Sequence, residues 1–103
     1  MDKIENLYIV ASEECAEMQQ CISKILRFGR SSHHPDKPDK TNETELFTEY
    51  YQLQSVMEMI MDSVAFPNMT ARDINSIKLQ KKCKVIEYAE LSKSLGRIVW
   101  LQY

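Results

Sequence analysis

From Ile4 onward the apolar positions Ile4, Leu7, Tyr8, Ala11, Cys15, Met18, Ile22, Ile25 and Leu26 recur at spacings of three and four, the period of an amphipathic helix. The pattern predicts a helix over about residues 3–28, closed by Gly29. The stretch GRSSHHPDKPDKTN that follows carries two prolines and mixed charges and reads as a loop over about residues 29–42. A second pattern, Leu46, Tyr50, Leu53, Met57, Ile60 and Val64, predicts a helix over about residues 43–66 that begins after Thr41 or Asn42 and stops at Pro67. Thr70 then fits an N-cap, with Asp73 in the first turn, for a third helix over about residues 70–95. Its inner face is marked by Ile74, Ile77, Tyr88, Leu91 and Leu95, and Gly96 ends it; the tail RIVWLQY is too brief to assign.

Composition agrees with this pattern. Two glycines and three prolines in 103 residues leave few breaks, which points to an all-α helical bundle of three main helices in a single domain, residues 1–103. Three such helices leave apolar surface over, so a dimer is expected. A net charge of -2 is not that of a chain built to neutralise nucleic acid. The opening MDKIENLYIV lacks a basic region before an apolar run, and no stretch matches a membrane span, so a soluble, cytoplasmic protein is expected. Cys15, Cys21 and Cys83 form no CxxC pair and are read as reduced, mostly buried thiols, and Met57, Met59 and Met61 as core filling.

Chemistry enters with ASEECAEMQQC, which sets three carboxylates into the first helix. At about 100° per residue, Glu14 lies roughly 70° from the centre of the apolar stripe, Glu17 roughly 130° away and Glu13 nearly opposite. On the second helix Glu49 lies roughly 55° from the stripe centre, with Gln52 one turn on. Antiparallel packing would bring Glu14, Glu17 and Glu49 to one point. Converging carboxylates repel unless a proton or cation joins them, and hard divalent ions such as magnesium prefer oxygen ligands. The plainer alternative is boundary glutamates on solvated helices.

The segment E13-E14-C-A-E17, followed across the loop by E49-Y-Y-Q52, resembles the EExxE…ExxD signature of the MazG-like, all-α nucleoside triphosphate pyrophosphohydrolases. The text around it, SKILRFG and LFTEYYQLQSVMEMI, is similar to the short phage and bacterial members, and the likeness runs from about Leu7 to Ile60. The resemblance implies an active-site core of four helices, completed by pairing into dimers or dimers of dimers. It also implies hydrolysis of a nucleoside triphosphate between its α and β phosphates, giving a monophosphate and pyrophosphate. In that family pattern Glu13, Glu14, Glu17 and Glu49 are catalytic, with Glu14, Glu17 and Glu49 as ligands of magnesium, or of manganese in its place, and Glu13 orienting water or a second ion. The fourth ligand position, aspartate in the family, is Gln52 here. Its amide oxygen can touch a metal weakly but carries no charge and cannot act as a base, and Asp62, roughly 80° around the helix and nearly three turns on, is a poor substitute.

Between Lys24 and Lys40 there are five Lys or Arg residues against two Asp, a patch suited to phosphates. Lys24, Arg27 and Arg30 are its candidate substrate contacts, with His33, His34 and Lys37 further along a loop whose plainer reading is a solvated, mobile segment. Adjacent histidines in such a loop lack the fixed geometry of a zinc site. Tyr50, Tyr51 and Phe28 are candidates to stack on a nucleobase, though each also fits helix packing. Lys78, Lys81, Lys82 and Lys84 read as a solvated face. Three functional readings stand at this point: a magnesium-dependent pyrophosphohydrolase, a weak or inactive relative that binds a nucleotide or a protein, and a dimerisation module whose glutamates hold nothing.

Overall fold

A computed structural model of the chain describes residues 1–63 and 69–99. Among them are three helices, α1 (Lys3–Phe28), α2 (Asn42–Ser63) and α3 (Ala71–Ser94), and no strand, so the fold is all-α. The expected end of the second helix at Pro67, with Val64 in its stripe, and the last residues of the tail lie outside the described residues. One compact unit holds α1 and α2, and a second holds α3.

Local chemistry sets the helix ends. The Asp2 carboxylate accepts from the Glu5 backbone N–H at 2.8 Å and caps α1. At the other end Gly29 takes φ +100° and donates its N–H to the Ile25 carbonyl at 2.8 Å, a backbone conformation that favours glycine. Thr41 Oγ1 accepts from Thr44 N–H at 3.1 Å at the head of α2. Thr70 and Asp73 form a reciprocal capping box at the head of α3, with bonds of 3.1 and 3.0 Å.

The two long helices of the first unit pack antiparallel. Leu7 and Ala11 near the start of α1 meet Ile60 near the end of α2, with Leu53 and Val56 packed against them. At the opposite end the buried Asn42 side chain donates to the Gly29 carbonyl at 3.1 Å, tying the head of α2 to the last turn of α1.

The buried faces are narrower than the sequence pattern suggests. On α1 the positions withdrawn from solvent are Ile4, Leu7, Val10, Ala11, Glu14, Met18, Cys21 and Ile25, which apart from Val10 alternate in steps of three and four. Tyr8, Cys15, Ile22 and Leu26, expected in the stripe, are exposed. Taken over the positions withdrawn from solvent, the stripe centre turns by roughly 50° and Glu14 lies within roughly 20° of it. The same happens on α2, where Asn42, Leu46, Glu49, Leu53, Val56 and Ile60 form the seam while Tyr50 and Met57 stand exposed. Glu49 then lies roughly 20° from the centre of its seam. Each helix thus carries one glutamate inside its packing face instead of beside it.

Other burial expectations are also corrected. Met59 and Met61 join Met57 as exposed residues, and of the three free cysteines only Cys21 is buried. On α3 the expected inner face, Ile74, Ile77, Tyr88, Leu91 and Leu95, is exposed, and Ala89 is the buried position. Within its own unit α3 has, among the described residues, no second helix against which that stripe could close. Lys78, Lys81, Lys82 and Lys84 are exposed as expected.

Candidate metal and phosphate site

Glu14 enters from the α1 seam, Glu49 from the α2 seam, and Glu17 from the exposed flank of α1 one turn beyond Glu14. Each offers a carboxylate oxygen, and the three oxygens lie within 4.8 Å of one another. At an effective dielectric of about 20, two unit charges at that separation repel by about 3–4 kcal/mol, so three bare carboxylates are not a stable arrangement. Two atoms make the demand specific. Glu14 Oε2 and Glu49 Oε2 are sealed from solvent and have no hydrogen-bond partner, although buried polar atoms are almost always paired.

The strain falls on Glu49. Burial first, then the contacts and charges of Glu17 and Glu14, raise its carboxyl from the ordinary value to about 7. The cluster therefore has room for a proton or a cation at its centre, and its all-oxygen donor set fits magnesium or manganese better than a softer ion.

A cleft of about 360 Å³ opens beside the cluster. Glu17 and Glu49 line one part of it, and Lys24, Lys37 and Lys40 another, with Gln52 also on the wall. Carboxylates for a cation and ammonium groups for phosphate oxygens thus share one cleft. Cys21 lines it too, and burial, followed by the charges of Glu45 and Glu49, pushes its thiol up; such a thiol is a poor nucleophile.

Of the residues singled out from sequence, Glu14, Glu17 and Glu49 meet in the cluster, and Glu17, Glu49, Gln52, Lys24 and Lys37 line the cleft beside it. Glu13 is exposed on α1, outside the cluster, and Arg27 and Arg30 are exposed and line neither this cleft nor the cavity next to it. Tyr50 stands edge-on to Tyr51, with ring centres 5.1 Å apart and planes at 72°, and it too lines neither space. Glu45 and Lys40 were missed as individual site residues. Glu45 sits one turn before Glu49 on the same helix, a spacing that could have flagged it, whereas only the fold of the loop brings Lys40 in.

That loop is not the free segment its composition suggests. Asn42 N–H donates to the Ser32 carbonyl at 2.8 Å and Glu43 N–H to the Arg30 carbonyl at 3.2 Å, and His33 pairs with Thr41 in an isolated antiparallel bridge. The loop is closed at its base, which holds Lys37 and Lys40 against the cleft.

No protein-family model matches this chain, and no curated protein or solved structure matches it either.

Proposed function

We propose that the chain is a magnesium-dependent nucleotide pyrophosphohydrolase that cleaves a nucleoside triphosphate between its α and β phosphates. The observation that carries this reading is the pair of sealed, partnerless oxygens, Glu14 Oε2 and Glu49 Oε2, within a three-carboxylate cluster. Glu14, Glu17 and Glu49 are the residues that would hold the ion. When bound, magnesium supplies charge neutralisation at the phosphates and a more acidic water. The chain's own part is to hold the carboxylates convergent, Glu14 and Glu49 from the helix seam and Glu17 from its exposed flank, and to set Lys24, Lys37 and Lys40 where a phosphate chain leaving the cluster meets positive charge.

Gln52 favours a second reading. It lines the cleft where the resembled family has a fourth carboxylate, and without that charge the scaffold would hold a metal-bound nucleotide and turn it over slowly or not at all. Both readings include a homodimer, supported by the exposed apolar residues of α3, and a cytoplasmic setting. No described helix is long and apolar enough to cross a membrane, and the net charge of -2 gives no support for nucleic acid as a partner.

The deciding experiment is pyrophosphate release from ribo- and deoxyribonucleoside triphosphates, with and without magnesium, beside Glu17→Gln and Gln52→Asp. Metal-dependent release lost in Glu17→Gln supports the enzyme. No release from the wild type, with release gained in Gln52→Asp, supports the binding scaffold, and no magnesium-dependent binding of any triphosphate defeats both.

A further inference from the structure

Beside the acid cleft lies a second cavity of about 490 Å³, and Lys24, Lys37 and Glu45 line both. Its remaining wall differs in kind: Phe28, His33, His34 and Pro35 present flat or apolar surfaces, with Asn42 and Asp36 as polar points. We propose that this cavity takes the nucleoside part of a nucleotide whose phosphates run past Lys24 and Lys37 into the acid cleft. The assignment rests on the phosphate and metal reading above and adds where the base lies and what reads it.

Three observations carry it. Phe28 is the last residue of α1 and is 63% exposed although it lines a cavity; a phenyl ring left open at such a wall is a platform on which a base can stack. The loop wall is tied down by the Ser32 and Arg30 carbonyls and by the bridge from His33 to Thr41, so it is formed before any ligand arrives. The two imidazoles are also set in opposite senses. His33 Nδ1 lies 2.9 Å from the His34 carbonyl, which can only accept, so Nδ1 carries the proton and the neutral ring is left with Nε2 as an acceptor. His34 Nδ1 accepts from Asp36 N–H at 3.1 Å, a shorter contact than the 3.6 Å to the Asp36 carboxylate, and the neutral ring is left with Nε2–H as a donor. One acceptor and one donor on adjacent residues of the same wall supply the two kinds of group that the hydrogen-bonding edge of a base requires.

The test separates the base from the phosphates. The ¹⁵N-labelled full chain is titrated, without metal, with adenosine, guanosine, cytidine, uridine and their deoxy forms. Amide shifts confined to residues 28–37 and the head of α2, weakened about tenfold in Phe28→Ala, with the ranking of bases altered in His33→Ala or His34→Ala, are expected. No shift up to the solubility limit, shifts centred elsewhere, or equal binding by Phe28→Ala would overturn the assignment. A ranking unchanged in both histidine variants would overturn their part in it. A parallel titration with inorganic tripolyphosphate and magnesium addresses the acid cleft alone. Its failure while nucleosides still bind would defeat the metal and phosphate reading and leave the base cavity standing.

Discussion

A glutamate in the middle of a packing seam leaves a thermodynamic signature. The Glu49 carboxyl titrates near 7 in the folded chain, against an ordinary 4.5, so between those values the folded state holds a proton that the unfolded chain has lost. Stability must then fall as pH rises through that window, because the native state binds more protons. Thermal melts should show a lower Tm at pH 8 than at pH 5.5, with the step flattened in Glu49→Gln. Millimolar magnesium should recover Tm at pH 8 and do little at pH 5.5, since cation and proton compete for the same oxygens. Glu14 makes a complementary case. Replacing its half-buried carboxylate with an apolar side chain of similar size, Glu14→Leu, should stabilise the helix pair by about 1–2 kcal/mol in denaturant titrations while abolishing magnesium binding. A variant that is both less stable and still able to bind metal would show that Glu14 belongs to the packing alone.

At the scale of elements, the ends of the helices were legible and their faces less so. Gly29, Thr70 and Asp73 could be placed from sequence because caps depend on neighbours three or four positions away, and each does what its position suggests. Gly29→Ala forces a β-carbon into positive φ and should cost about 1 kcal/mol, although open space surrounds the position; the loss should appear as a reduced denaturation midpoint with unchanged helix content. Thr70→Ala should cost a similar amount, about 1 kcal/mol, read as fraying at the head of α3 by amide exchange. The faces misled because α1 has more apolar residues than its partner can cover. Averaging over Tyr8, Ile22 and Leu26, all exposed, drew the stripe centre away from Glu14, and the same averaging over Tyr50 and Met57 hid how deeply Glu49 sits. Asn42 gave no usable signal of its own, since its burial follows from a bond to Gly29 thirteen positions earlier.

For the molecule as a whole, the convergence of Glu14, Glu17 and Glu49 was readable because an antiparallel pair of helices admits few registers. The placement of Lys37 and Lys40 was not, since it depends on how the loop folds back. The exposed apolar residues of α3 lead to a further expectation: light scattering should return a dimer mass, and Tm should fall on dilution. A monomer at all concentrations would remove the dimer from the functional reading.

The loop closure has one more implication. The ties through Ser32, Arg30 and the bridge from His33 to Thr41 run through main-chain groups, and the side-chain bonds of His33 and His34 stay within the segment, so the side chains between Ser31 and Lys40 are under little obligation to the helices. Randomising those side chains, with Lys37 and Lys40 kept because they line the acid cleft, should yield mostly folded proteins, with the acidic centre intact and the neighbouring wall rewritten. The segment would then serve as an interchangeable cassette on a fixed two-helix handle, letting ligand preference be altered independently of the chemistry at the handle's middle.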